Sequence, residues 1–210
     1  MLRVGLTGGV ACGKSSVGQM FVARGAHLVQ ADQIAHQLME PGTRIHREII
    51  KHFGSGVVHQ DGSIDRKKLA DAVFGTGRIQ ELNRIVHPAV IARQDEWMAE
   101  TGARDPQAIV IVEAALILEA GARARFDKLI VVTCRPEQKA PRFARRQQVG
   151  LAEAAREVER RSAAQWPDEE KIAAADYVID NSGPVVKTER QVDEVYAELK
   201  RIAAASTQPR

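Results

Sequence analysis

Aromatic residues are scarce: Phe, Trp and Tyr together fill 4% of the 210 positions. A core made without them must be aliphatic, and the 44% apolar content is enough to build one. Short aliphatic runs suit buried parallel strands covered by helices. Cysteine is nearly absent, with only Cys12 and Cys134. Two thiols exclude a disulfide framework and fit a reducing, intracellular setting. No apolar run approaches the ~18 residues that suggest a membrane span. The opening MLRVGLTGG lacks the apolar stretch of a signal peptide and reads as a first strand. An excess of one charge is missing too: 30 Lys and Arg face 27 Asp and Glu, for a net charge of +3. That balance argues against a nucleic-acid-binding surface, so an anionic ligand should be met at a local cluster. The expectation is a cytoplasmic protein with no membrane or nucleic-acid partner, a monomer or weak homo-oligomer.

Strand-like runs are 2–7 (LRVGLT), 27–31 (HLVQA), 108–113 (AIVIVE), 128–133 (KLIVVT) and 177–180 (YVID). Helical periodicity covers 15–25, 65–75 with Asp65 as N-cap, 78–101 with an interruption at Pro88, 136–175 with a break at Gly150, and 187–204. The tail 206–210 (STQPR) is polar. Strands alternating with helices predict an α/β fold, a doubly wound parallel five-stranded sheet. Ligands of such sheets bind at the carboxyl ends of the strands. Residues 33–107 hold no strong strand and read as a helical lobe inserted after strand two. Residues 135–166 are rich in arginine, hold few buried-looking positions, and read as a helical lid. The whole chain, 1–210, is expected to be one catalytic domain with these two insertions.

The stretch from Gly8 to Ser15, GGVACGKS, matches G-x-x-x-x-G-K-[ST] between a predicted strand and a predicted helix. Gly8 and Gly13 permit backbone angles and close approaches that a Cβ would block. Main-chain N–H groups of Gly9, Val10, Ala11, Cys12, Gly13 and Ser16 can then converge on phosphate oxygens, aided by the helix dipole. Lys14 supplies a point charge to the β- and γ-phosphates, and Ser15 offers its hydroxyl to Mg²⁺. Cys12 has two readings: a small loop residue, or a redox-sensitive thiol whose pKa is lowered by the helix terminus and Lys14. No [NT]-K-x-D guanine-reading motif is present, and the chain is short for a motor or transporter ATPase. A small-molecule kinase remains.

Asp32 follows the second predicted strand. Its carboxylate can orient an acceptor hydroxyl and take its proton, or cap a helix at 33–40. Glu113 ends the strand 108–113, where it either assists the metal or is a solvated strand end. The lid carries Arg142, Arg145, Arg146, Arg156, Arg160 and Arg161. Most of these read as a solvated face with partners such as Glu157–Arg161. Asn181 follows the last strand, placed to meet adenine or to form a turn. His87, before Pro88, either contacts the acceptor or is structural.

The chain resembles the dephospho-coenzyme A kinase family over almost its whole length. The stretches that carry the resemblance are LTGGVACGKSS, VQADQIAHQLMEPG, DGSIDRKKLADAVF, NRIVHPAV, EAALILEAG and ADYVIDNSG, in that order. It implies a P-loop NTPase-type fold, ATP as phosphoryl donor with Mg²⁺, and dephospho-CoA as acceptor at its ribose 3′-hydroxyl. It places the implicated acidic residue at Asp32, puts Arg66, Leu69 and Phe74 on positions of the substrate lobe, and makes Arg142 and Arg146 the functional arginines of the lid. Lys14, Asp32 and Arg142 are the expected catalytic residues. Arg142, Arg146 and Asn181 join the loop in holding ATP, and Thr7, Asp32, Arg66 and His87 are the expected acceptor contacts. Departures occur at Ala11 and Cys12, where the family usually has Gly-Ser, at Ser16 for Thr, at Gln30 and Gln147 for Asp, and at Ala115 for Pro. Two rivals stand beside this reading: a kinase of another small molecule, and a nucleotide-binding regulator without catalysis.

Overall fold

A computed structural model describes residues 1–74 and 77–205, without the side chain of Phe74. The chain divides into two compact units, residues 1–29 with 100–210 and residues 30–99. The first unit is built on an all-parallel five-stranded sheet of β1 (Leu2–Gly8), β2 (His27–Gln30), β3 (Ile109–Glu113), β4 (Lys128–Thr133) and β5 (Tyr177–Asp180). The order across the sheet is β2-β3-β1-β4-β5. β1 is thus flanked by β3, with Leu6 beside Glu113, and by β4, with Gly8 beside Val132. The chain crosses from one side of β1 to the other after β3, which makes the carboxyl end of β1 the switch point where ligands bind.

The strand sequences explain their burial. Leu2, Val4 and Leu6 alternate along β1, and Ile109, Ile111, Ile130, Val132 and Ile179 join them on one face. That face is covered by α1 (Lys14–Val22) and α9 (Val185–Ala205) through Val17, Phe21, Val192, Val195 and Leu199. The intervening Val110, Val112, Leu129 and Val131 are buried as well, so the inner strands are apolar on both faces. Each such side chain contributes about 1.5–3 kcal/mol relative to exposure.

The unit of residues 30–99 is helical. It contains α2 (Ala31–Leu38), α3 (Arg44–Phe53), α4 (Arg66–Phe74) and most of α5 (Ile79–Arg104). Thr43 caps α3 by accepting a hydrogen bond from the His46 N–H at 3.1 Å. Asp65 caps α4, its carboxylate accepting from the N–H groups of Lys67 and Lys68. Gly75, expected to close that helix, lies outside the described residues, as does the tail 206–210.

Three expectations need correction. Pro88 does not interrupt α5, which runs through it. The helix buries Val86, Val90, Gln94 and Met98, four residues apart, and this stripe outweighs the one hydrogen bond that proline removes. The segment 136–175 breaks at Gly150 as expected, between α6 (Pro136–Gln147) and α7 (Leu151–Ser162) with Gln148 in the left-handed region (φ 57°), but it breaks a second time before α8 (Asp168–Ala173). The arginine-rich cover also has a core of its own, in which Phe143, Ala154 and Val158 pack against Val10 of the glycine loop.

Candidate active site

The site in the first unit is assembled at the carboxyl ends of four strands. β1 runs into the loop 8–13, β3 ends at Glu113, β4 is followed by Cys134, and β5 is followed by Asn181. Gly13 precedes α1 at φ 90° and supplies no side-chain cap, so the first N–H groups of α1 are left for a ligand. A Cβ on Gly13 would sit 2.3 Å from Asn181 Nδ2. A Cβ on Gly8, at φ 147°, would sit 2.1 Å from the Val132 carbonyl oxygen. Gly8→Ala is expected to lower the unfolding free energy by about 3 kcal/mol through overlap and backbone strain. Urea denaturation checks this as a lower midpoint at unchanged m. Ala11 stands in the left-handed region at φ 57° without being glycine, at a cost of about 1 kcal/mol.

Lys14 Nζ donates to the carbonyls of Gly8 at 3.1 Å and Gly9 at 3.0 Å. Burial pushes the ammonium below the usual lysine range, opposed by the charges of Cys12 and Glu113. A desolvated cation held by two loop carbonyls is suited to receive a phosphate. Ser15 Oγ donates to Glu113 Oε1 at 2.7 Å. Glu113 is buried, so the solvated strand end is excluded. One hydroxyl and one carboxylate in contact form a hard-oxygen pair of the kind that suits Mg²⁺.

Asn181 holds the loop in place. Its Nδ2 donates to the Cys12 carbonyl at 2.9 Å, its Oδ1 accepts from Thr188 Oγ1 at 3.0 Å, and its N–H donates to Thr133 O at 2.9 Å. Arg142 Nη2 donates to Asn181 O at 2.9 Å, while Arg142 Nη1 is buried without a hydrogen-bond partner. A buried guanidinium N–H left unpaired is costly, and an anionic ligand would satisfy it. Arg146 lies over the Phe143 ring with its guanidinium carbon 5.6 Å from the centroid, and its charge is among those acting on Lys14. Arg160 and Arg161 both pair with Glu157, the solvated face expected of them. Thr7 is fully buried and donates to the Ala115 carbonyl at 3.3 Å.

In the helical unit, Asp32 is the second residue of α2 and is exposed. Gln30 occupies the N-cap position, so Asp32 is not the cap of this helix. Arg66 opens α4, also exposed. Both act on His36: burial lowers its pKa first, then the Arg66 charge, against the Asp32 charge. Asp32 and Arg66, 34 positions apart in the chain, are thereby brought into one neighbourhood. His87 is exposed on α5.

A family model described as dephospho-CoA kinase matches residues 2–187. The chain belongs to the dephospho-CoA kinase family. The dephospho-CoA kinase of Aquifex aeolicus is 42% identical over 202 residues, spanning 96% of this chain and 99% of that one. That of Streptomyces avermitilis is 40% identical over 95% of this chain and 94% of its own. The solved dephospho-CoA kinase from Campylobacter jejuni superposes with a TM-score of 0.69 at 26% identity, covering 95% of this chain and 97% of that one.

Beside the features shared with the family, two ion pairs escaped the sequence reading. Lys139 of α6 pairs with Asp168 of α8 at 2.6 Å, and both reach the loop at Gly9. Lys171 of α8 is fully buried, with Nζ 3.0 Å from Glu119 Oε1, and its charge acts on Lys14. The partners are 29 and 52 positions apart, beyond the reach of any helical spacing rule. Cys134 was also missed as a partner of the loop. Its position directly after a strand end was the available signal.

Proposed function

We propose that the protein transfers the γ-phosphoryl group of ATP to the ribose 3′-hydroxyl of dephospho-CoA, giving coenzyme A and ADP, the last step of coenzyme A synthesis. The observation that carries this reading is the uncapped amino terminus of α1 beside the desolvated Lys14, a cradle for a polyphosphate, in a chain of this family. Phosphoryl transfer asks for positioning and charge neutralisation more than for covalent chemistry. The loop amides of 9–13 and of Ser15 and Ser16 hold the phosphate oxygens. Lys14 exchanges its two carbonyl partners for phosphate oxygens and neutralises charge on the transferred group. Arg142 offers its unpaired Nη1, and Arg146 adds charge from the lid. Asn181 acts by fixing the Cys12 carbonyl and hence the loop, and Thr7 by fixing the segment at Ala115. Asp32 accepts a hydrogen bond from the acceptor hydroxyl and aims it. Arg66 and His87 supply cationic or polar contacts to the acceptor's diphosphate.

Ser15 and Glu113 would hold Mg²⁺, whose chemical contribution is neutralisation of phosphate charge. Glu113→Ala is expected to raise the Mg²⁺ concentration for half-maximal rate by about tenfold or more, measured by metal titration at saturating ATP. Two free thiols fit a reducing compartment, so the cytoplasm is the expected location. Among the described residues, no helix is long and apolar enough to cross a membrane.

A panel of acceptors with MgATP tests the assignment. Turnover of dephospho-CoA above that of nucleoside monophosphates and of shikimate supports it. Turnover of one of those with none of dephospho-CoA removes it, and ATP binding without any turnover would mark a regulator.

A further inference from the structure

The two cysteines of the chain meet beneath the phosphate loop. Cys12 lies inside the loop and Cys134 just past β4, 122 positions apart, and their sulfurs are 3.2 Å from each other. Both are buried and unoxidised. A disulfide has a sulfur–sulfur distance of about 2.05 Å, so a closure of roughly 1.2 Å would join them. We propose that Cys12 and Cys134 are a reversible redox site, oxidised by a peroxide to an intramolecular disulfide that disables the phosphate loop. This reading concerns the loop and does not depend on which acceptor the enzyme uses.

The surroundings favour reaction at Cys12. The Cys134 S–H donates to the Cys12 sulfur, and that bond is the main reason the Cys12 thiol is lowered to about 7. Burial opposes the shift, Lys139 favours it, Asp168 opposes it and Lys14 favours it. The Cys134 thiol is pushed up, chiefly because its proton is held by Cys12. A helix terminus beside Lys14 is what the sequence suggested as the cause. The structure adds a second sulfur as the stronger one. Beside Gly9, Asp168 Oδ1, Cys12 Sγ and Lys139 Nζ all lie within 3.2 Å of where its Cβ would be. The Lys139–Asp168 pair thus closes over the thiol, and a small oxidant enters when the pair parts.

The chemistry balances. The Cys12 thiolate attacks one peroxide oxygen, the O–O bond breaks, and hydroxide leaves and takes up a proton. Cys12 is then a sulfenic acid. The Cys134 sulfur attacks that sulfur, the S–O bond breaks, and the oxygen leaves as water with the Cys134 proton. Two thiols and one hydrogen peroxide give one disulfide and two waters. The two sulfurs lose two electrons and the peroxide oxygens gain them. The new bond pulls the Cys12–Gly13 backbone towards β4. That backbone has no slack, because Ala11 and Gly13 are already in the left-handed region and the Cys12 carbonyl is held by Asn181. Misplacement of a reacting group by about 1 Å can cost around 100-fold in rate.

The experiment treats the reduced full-length protein with hydrogen peroxide, quenches in denaturant with N-ethylmaleimide, and reads intact mass and peptides. The expected result is a mass lower by two hydrogens, no maleimide on either cysteine, and linked Cys12 and Cys134 peptides. The rate with MgATP and dephospho-CoA should fall about 100-fold and return with dithiothreitol. In Cys134→Ala the same treatment should leave Cys12 as a sulfenic acid trapped by dimedone, formed more slowly because the Cys134 hydrogen bond is gone, with no linked peptide. Two maleimide labels after treatment, a linkage between chains, or a linked pair with unchanged rate would each overturn the proposal. The mass readout needs neither the variant nor turnover. Failure of the kinase assignment would appear separately, as absent turnover in the untreated protein, and calorimetry of MgATP binding would then replace the rate.

Discussion

Lys14→Ala is expected to lower kcat by about 10²–10³-fold or more while the melting temperature changes by only a few degrees. The argument rests on what the ammonium touches. In the absence of nucleotide its partners are two carbonyls of its own loop, Gly8 and Gly9, at 3.1 and 3.0 Å. Those carbonyls lose a donor, but the fold also loses a cation that burial holds below its usual range, and the two effects offset one another in stability. The transferred phosphoryl group has no equivalent substitute. Its charge is spread over three oxygens in the transition state, and a point charge already stripped of water acts on it without reorganisation. Burial has lowered the lysine pKa, so the ammonium is held at a cost that only an incoming anion relieves. Lys14→Arg should not rescue, because a planar guanidinium does not place its charge where the compact ammonium meets the Gly8 and Gly9 carbonyls. A coupled ADP assay gives kcat, and thermal denaturation followed by circular dichroism gives stability. A drop in kcat matched by unfolding at assay temperature would assign Lys14 to structure instead.

Asp32→Asn should reduce kcat by about 10²–10⁴-fold with little change in the apparent affinity for ATP. Asp32 is exposed on the first turn of α2 and does not cap that helix, so its charge acts on the fold through the helix dipole and His36, and its loss costs the fold little. The amide keeps size and shape but accepts a hydrogen bond more weakly and cannot receive a proton. In a loose transition state, aiming the hydroxyl matters more than early deprotonation. A loss near the lower end of that range would therefore assign Asp32 to orientation. A loss near the upper end would add proton transfer. Measurement of kcat and both KM values at saturating co-substrate separates a catalytic defect from weaker binding, and an unchanged kcat would remove Asp32 from the mechanism.

The glycine loop, the strands and the sheet type were legible in the sequence because they rest on local rules. The run KLIVVT and the run YVID coincide with β4 (Lys128–Thr133) and β5 (Tyr177–Asp180), since short aliphatic stretches bounded by breakers have few other fates. Asp65 as a cap was legible for the same reason. Pro88 misled because its local penalty was weighed without the buried stripe of Val86, Val90, Gln94 and Met98 that holds α5 together. In the segment 136–175 the break at Gly150 was legible because glycine interrupts the helical pattern, whereas the second break, between Ser162 and Asp168, was not. The packing of Phe143, Ala154 and Val158 on Val10 is likewise a tertiary feature. Asp32 looked like a cap because the helix start was placed two residues late.

By itself the sequence determined the glycine loop between β1 and α1, whose pattern suits a polyphosphate cradle of main-chain amides, because that loop is written in contiguous residues from Gly8 to Ser16. Only the tertiary structure decided what surrounds the cradle. Glu113 reaches Ser15, Asn181 clamps the Cys12 carbonyl, Lys139 and Asp168 close over Gly9, and Cys134 lies against Cys12. These contacts join residues 29 to 169 positions apart. Parallel strands bring their carboxyl ends to one edge whatever the distance along the chain, and no spacing in the sequence records which side chains meet there.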